Sequence, residues 1–434
     1  MNYEEAVAYI EETPKFTTKN KLEHTKECLR RLGNPQEKFR VIHVAGTNGK
    51  GSTCAFLTSI LREAGYSCGL FTSPHLVEIN ERFQINEENI DNDTFLNAFH
   101  KVKKLADELV AEGSYHPTYF EMLFLMGMVI FADAGVDYVT LETGLGGRLD
   151  ATTAVEQPVA CVIASISFDH MQYLGNTIGE IAGEKAGIIV PGVPVIYDAN
   201  NSEAAKVIQK TAEEAGSPAF GVKESDTEIH QITRAGIDFS LKNGYYGNTE
   251  FKIPFVARYQ VMNGALALKT MEVLRSIVPA SLETIQKGMR ETRWQGRMET
   301  ILPGVIADGA HNEDGVAKFV ETDVHFQEES PLTLLFSAVD DKDYPDMIHT
   351  ICKNIRFRNI VVTEVGGYRM VPAKKLAELF QKEGYEHTEA CPEIPDAFDR
   401  ALELRGEDGL LFCVGSLYLV GEIKSVIRKR RKHD

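Results

Sequence analysis

One segment limits the fold of this chain more than any other: Val44-Ala45-Gly46-Thr47-Asn48-Gly49-Lys50-Gly51-Ser52. Upstream of it, residues 38–45 (KFRVIHVA) read as a short buried strand. Downstream, residues 53–64 carry helical spacing that Gly65 ends, and residues 68–71 open another strand. Strand, glycine loop, helix and strand in that order make a parallel α/β unit. Glycines let the backbone turn tightly, so that successive N–H groups point at phosphate oxygens, and the helix N-terminus adds the positive end of its dipole. Lys50 then reaches the β and γ phosphates as a point charge, and the hydroxyl of Thr47 or Ser52 bonds a phosphate or approaches Mg²⁺. The run departs from the strict GxxxxGK[ST] form, because Val44 stands at its first position and Gly51 separates Lys50 from Ser52. A glycine turn beside a solvated lysine is the plainer reading, and the strand–loop–helix context weighs against it.

Two further apolar strands end in polar residues: 137–141 (DYVTL), followed by Glu142, and 159–166 (VACVIASI), followed by Ser167-Phe168-Asp169-His170. The strand at 68–71 is followed by Thr72-Ser73-Pro74-His75. Open parallel sheets gather their ligands at strand C-termini. Ser73, Glu142 and His170 are therefore candidate Mg²⁺ ligands beside the phosphate loop, although imidazole is an unusual partner for so hard a cation. Alone, His170 reads as a surface or hydrogen-bonded core histidine, and Glu142 as a capping or solvated carboxylate. Their shared position at strand ends is what favours the site. Lys185, at the end of a helical stretch in Glu184-Lys185-Ala186-Gly187, reads by pattern as a solvated or ion-paired lysine.

Residues 224–253 change character, with Thr, Asn and Gly punctuating alternating strands, which predicts an antiparallel patch. Helical periodicity returns over 260–277. The only Trp, Trp294, opens a stretch that contains Gly296, Arg297 and Pro303, after which strands at 304–307, 332–337, 360–363 and 409–414 alternate with helices. The expected domains are 1–296 and 297–434. The fold class is α/β, with a mostly parallel sheet and a small antiparallel sheet in the first domain and a smaller Rossmann-like second domain. A chain of 434 residues is too long for one core.

A formal charge of −17 argues against nucleic acid as a partner, since phosphate contacts need a basic surface. The exception is the run Arg428-Lys429-Arg430-Arg431-Lys432-His433, which reads as a solvated helix end and is assigned no function. No apolar run approaches the roughly 20 residues that span a bilayer, so no membrane association is expected. The acidic start Met1-Asn2-Tyr3-Glu4-Glu5 lacks the order of a signal peptide, which makes the cytoplasm the expected location. Seven scattered cysteines without a CxxC pair read as reduced, mostly buried thiols.

Taken together, the motifs resemble folylpolyglutamate synthase, within the wider Mur ligase group. The resemblance covers nearly the whole chain, in GTNGKGS (46–52), LFTSPHLVEINERFQIN (70–86), ETGLGGRLDAT (142–152), ISFDHMQYLG (166–175), IAGEKAGI (181–188), QVMNGALAL (260–268), WQGRME (294–299), DGAHN (308–312) and VGSLYLVGE (414–422). It implies a Mur-ligase-like fold and an ATP-dependent ligase that adds L-glutamate to a reduced folate, and also to dihydropteroate. By this resemblance Gly46, Thr47, Asn48, Gly49, Lys50, Gly51 and Ser52 hold the ATP phosphates, and Asn263, Arg297, Asp308 and His311 contact the nucleotide. Ser73, Glu142 and His170 match the family's Mg²⁺ ligands. Lys185 matches a lysine that is N-carboxylated beside a second Mg²⁺. The run Thr118-Tyr119-Phe120-Glu121 and Leu149-Asp150-Ala151 match pterin-binding positions. Lys50, Lys185 and His170 are the catalytic candidates, and the family implies a monomer. Thr153, Gln295 and Glu313 depart from the usual residues at their positions. A cell-wall ligase that extends a UDP-sugar peptide is the alternative within the class, and SPHL and RFQIN fit it poorly. A phosphate-loop switch protein that binds ATP without making a bond is the alternative outside it.

Overall fold

Strands form here where β-branched and aromatic residues run between glycine-bearing turns. The computed structural model describes residues 1–14, 21–233, 235–323, 330–366 and 370–431. The chain divides into two compact units. The first comprises Met1–Ile232, Ile237–Pro254 and Gln260–Arg293; the second comprises Thr233–Gly236, Phe255–Tyr259 and Trp294–Asp434.

The first unit is built on β1 (Arg40–Ala45), β2 (Cys68–Phe71), β3 (Phe83–Ile85), β4 (Glu88–Asn89), β5 (Tyr138–Glu142), β6 (Ala160–Ile163), β7 (Val195–Asp198) and β8 (Ala219–Val222), in the spatial order β4-β3-β2-β5-β1-β6-β7-β8. From β2 to β8 every pairing is parallel, and only the β3 and β4 edge runs antiparallel. β1 is buried along its length after Arg40, as expected of a strand covered on both faces. One face packs on the helices Tyr3–Glu12, Asn92–Ala111 and Tyr119–Ala134, through a core that includes Phe71, Phe83, Phe95, Phe99, Phe124 and Phe131. Another core joins β6 and β7 to the helices Ile178–Ala186 and Ser202–Glu214. The expected antiparallel patch is β9 (Thr227–Thr233), β10 (Gly236–Leu241) and β11 (Glu250–Ile253), in the order β11-β10-β9.

The second unit carries β12 (Glu299–Leu302), β13 (Val305–Asp308), β14 (Leu332–Phe336), β15 (Asn359–Val362), β16 (Glu389–Ala390) and β17 (Leu410–Val414), ordered β12-β13-β17-β14-β15-β16. All of its pairs are parallel except β12 with β13. The basic run forms the end of helix Leu417–Arg431, where Arg430 pairs with Asp399; Lys432 and His433 lie outside the described residues. The seven cysteines are free, and Cys28, Cys54, Cys68, Cys161 and Cys413 are buried. Among the described residues no helix is long and apolar enough to cross a membrane.

The strand expected from residue 38 begins at Arg40, because Pro35–Glu37 form a short helical turn first. The helix expected from residue 53 begins at Lys50, since Gly49 adopts the left-handed conformation (φ 86°) that turns the chain into it. Phe71 sits where β2 meets the aromatic core, edge-on to Phe120 and Phe124 at centroid distances of 5.9 and 6.4 Å. Phe71→Ala is expected to lower the stability of the first unit by about 3–5 kcal/mol, read as a fall in its urea midpoint.

Candidate functional site

Since β2, β5, β1 and β6 are parallel neighbours, their C-terminal ends lie along one edge; Glu142 closes β5, and Ser73, the Gly46–Ser52 loop and His170 follow the ends of β2, β1 and β6. The loop is tied to the segment after β6. Thr47 donates its N–H to Ser165 O at 2.7 Å and its hydroxyl to Ser167 O at 3.1 Å, while Ser165 Oγ donates to Asn48 O at 3.2 Å. His170, in left-handed backbone (φ 50°), opens the short helix Met171–Leu174 three residues beyond Ser167. On the other side of β1, the Ser73 N–H donates to Glu142 Oε2 at 3.1 Å.

Lys50 donates to Thr47 O at 3.1 Å and lies 3.9 Å from Glu142 Oε1. Gly49 leaves no room for a side chain: a Cβ there would run into Asn263 Oδ1. The Asn263 carboxamide is itself oriented by Gln260, whose Oε1 accepts from Nδ2 at 2.9 Å. This brings Asn263 to the loop. Gln260, a residue that pattern alone did not single out, holds it there.

Lys185 is not the solvated lysine that its pattern suggested. It is 4% exposed and donates from Nζ to Gly46 O at 2.7 Å. Burial, and then the neighbouring Lys50 charge, push its amine down to about 7, against the opposing pull of Asp169 and Asp150. A lysine shifted so far against a glycine loop is a functional-site candidate.

The residues expected to hold a pterin divide in two. Thr118 and Glu121 form a capping box on helix Tyr119–Ala134, and Glu121 Oε1 also accepts from Thr25 at 3.0 Å. Asp150 is buried and accepts four bonds from the protein's own Gly144, Leu145 and Thr152. These three side chains hold backbone in place. Tyr119 accepts from Arg82 at 3.2 Å, Phe120 is half-buried beside Gly144, Ala151 is buried and Leu149 is 70% exposed.

In the second unit, buried Asp308 ends β13. It accepts the N–H of Met298 and of Ala310, each at 2.8 Å, and the Tyr259 hydroxyl at 3.2 Å. Burial pushes its carboxyl up, and Arg297 pulls it back. The Arg297 guanidinium donates to Gly296 O at 3.3 Å, and His311 Nδ1 lies 2.7 Å from Gly309 O. Arg297, Asp308 and His311 thus share one turn region. Gln295, where the usual residue differs, meets Lys424, which also bonds Glu299 at 2.9 and 3.0 Å.

Residues 44–271 match the Mur ligase middle domain, and residues 296–417 match the Mur ligase glutamate ligase domain. The dihydrofolate synthase/folylpolyglutamate synthase of Bacillus subtilis (strain 168) is 36% identical over 440 residues, covering 99% of this chain and 99% of its own. Among solved structures, the folylpolyglutamate synthase of Thermotoga maritima matches at a TM-score of 0.85 and 29% identity, covering 99% of this chain and 97% of its own. E. coli FolC in complex with DHPP and ADP matches at a TM-score of 0.84 and 27% identity, covering 99% of both chains.

With its amine pushed down to about 7, Lys185 loses its proton near neutral pH. With ¹³C-labelled lysine and CO₂ excluded, one side-chain resonance should titrate near pH 7, well below ordinary lysines, and be missing from Lys185→Met.

Proposed function

From the premise that this chain belongs to the Mur ligase family, we propose that it is an ATP-dependent ligase adding L-glutamate to reduced folates, and also to dihydropteroate. The observation that carries this reading is the convergence of Lys50, Glu142 and Lys185 on one glycine loop. It stands in a chain that aligns end to end with a dihydrofolate synthase/folylpolyglutamate synthase. The proposed setting is the cytoplasm, with the chain acting as a monomer.

A carboxylate does not condense with an amine at neutral pH, because its leaving group is poor. Transfer of the γ-phosphoryl of ATP to the folate carboxylate gives an acyl phosphate; the glutamate amine then attacks, and phosphate departs. Phosphoryl transfer asks the protein for positioning and charge neutralisation. The loop amides and Lys50 hold the β and γ phosphates, and the dipole of helix Lys50–Glu63 adds to them. Asn263, Arg297, Asp308 and His311 are assigned to the nucleotide. Tyr119, Phe120 and Leu149 are assigned to the pterin, with Thr118, Glu121, Asp150 and Ala151 shaping its walls.

The strand ends fit Mg²⁺. Glu142 supplies a carboxylate oxygen, and Thr143 Oγ1 and Ser167 Oγ are buried there without a protein hydrogen-bond partner. Among the described residues no three His, Cys, Asp or Glu side chains form a metal cluster. Mg²⁺ takes one or two carboxylates and fills its shell with water and phosphate oxygens. Ser73, Glu142 and His170 would hold it, and when bound it neutralises charge on the transferring phosphoryl group. Lys185, neutral above pH 7, adds to CO₂ with loss of one proton to solvent, which gives an N-carboxylated lysine beside a second Mg²⁺ site.

ADP release should require both L-glutamate and a folate. Release that proceeds equally fast without either one points to a nucleotide-driven switch instead. Lys50→Ala should lower turnover by about 10²–10³-fold with unchanged circular dichroism. Product masses from dihydropteroate and tetrahydrofolate, offered separately, read the acceptor range. After incubation with ¹³C-bicarbonate, a carbamate carbon signal is expected in the protein and not in Lys185→Met. If both proteins give the same spectrum, Lys185 is not carboxylated.

A further inference from the structure

The first unit holds a buried polar chain with two members, His43 and Thr152, to which the proposed reaction gives no role. His43 lies on β1, three residues before Gly46, and is 1% exposed. Its Nε2 is 2.8 Å from Thr152 Oγ1. Thr152 donates its hydroxyl to Asp150 Oδ1 at 2.5 Å and its N–H to the same oxygen at 3.0 Å. Asp150 Oδ2 accepts the N–H groups of Gly144 at 3.0 Å and Leu145 at 2.8 Å. The single hydroxyl proton of Thr152 is committed to a carboxylate, so only its lone pairs face His43. The network therefore assigns the ring proton to Nε2. Burial pushes His43 down to about 3, which keeps the ring neutral with one donor and that donor in use.

This chain braces the segment between Gly144 and Thr153, and that segment holds the end of helix Ile178–Ala186. The Arg148 N–H donates to Glu184 O at 2.7 Å, and its guanidinium pairs with the Glu184 carboxylate at 2.6 Å. Gly147 packs so closely that a Cβ would lie 2.7 Å from Glu184 O and 2.9 Å from Lys185 O. Lys185 then reaches back to Gly46 O, on the loop that His43's own strand leads into. The path closes on itself: strand, threonine, aspartate, loop, helix end, lysine, and the phosphate loop three residues beyond His43.

We propose that His43 and Thr152 are positioning residues for Lys185, acting through Asp150 and the Gly144–Thr153 segment. Neither touches the reacting groups, and removing either one unfastens the segment that seats the Lys185 helix end. The kinetic part of the test rests on the ligase reading above; the exchange part does not.

Two pairs of variants separate the hydrogen bond from the bulk of each side chain. Thr152→Ser keeps the hydroxyl, whereas Thr152→Val keeps the outline and loses it. His43→Gln keeps a donor near Nε2, whereas His43→Leu has none. Thr152→Val and His43→Leu should lower kcat about tenfold or more, with KM for ATP changed less than about twofold, because the phosphate loop itself is untouched. Thr152→Ser and His43→Gln should stay within about threefold of the unaltered protein. Hydrogen exchange followed by mass spectrometry should show faster exchange at 143–153 and 181–188 in the Val and Leu variants and not in the conservative pair. The proposal is overturned if Thr152→Ser loses as much as Thr152→Val, or if exchange in both segments is the same in all four. If the unaltered protein makes no folate–glutamate bond, the ligase reading fails, and the exchange comparison still decides the role of His43.

Discussion

Parallel pairing of β1 with β5 on one side and β6 on the other decides where every charged group of this site falls. Antiparallel neighbours would send alternate strand ends to opposite edges. Here the register of Val44 with both Glu142 and Val162 brings a carboxylate level with the start of the glycine loop. The same pairing carries the Ser165–Ser167 segment past β6 to the far side of the loop, where Thr47 fastens it. The helix that begins at Lys50 adds a positive terminus at this edge. No single residue makes the site. The sheet aligns the ends of its strands, and the short polar segments that follow them do the rest.

Burial sets the protonation of the buried groups in each unit more than pairing does. For Lys185, His43, Asp150 and Asp308 the largest influence is loss of water, and each is pushed toward its neutral form. What differs among them is the answer from the surroundings. Asp150 and Asp308 receive backbone N–H donors that restrain the shift. His43 needs no charge at all to do its work. Lys185 has a carbonyl acceptor and a neighbouring cation, Lys50, so its amine alone is left able to exist in both forms near neutral pH. A surface lysine at the same place in the sequence would be a permanent cation and a poor nucleophile.

Much of this was legible in the residues and some was not. The strand–loop–helix at 40–63 could be read because glycine, apolar runs and helical spacing are local signals. Ser73, Glu142 and His170 could be placed at strand ends, since a parallel strand's C-terminus is a position in sequence as well as in space. The two-residue strands β4 and β16 escaped, being too short to show alternation. The burial of Lys185 escaped pattern reading as well: its neighbours Glu184 and Gly187 look like a solvated helix end, and its packing against 144–153 and the glycine loop has no local signal. Thr118 and Glu121 show the reverse case. Their spacing, Ser/Thr followed three residues later by Glu, is that of a capping box, and the structure uses it as one. His43 gave no signal at all, because a lone histidine inside an apolar strand is indistinguishable from filler until its partner, 109 residues away, is known.

Gly147 sets a tolerance of a different kind. Two carbonyl oxygens stand where its side chain would be, so the seat of Lys185 is shaped by atoms that are missing. Polar braces such as Thr152 can drift to another residue that carries the same group, and compensating pairs can arise elsewhere. A gap of this size admits no such exchange. Position 147 can be departed from but not substituted in kind, because no other residue leaves that space empty.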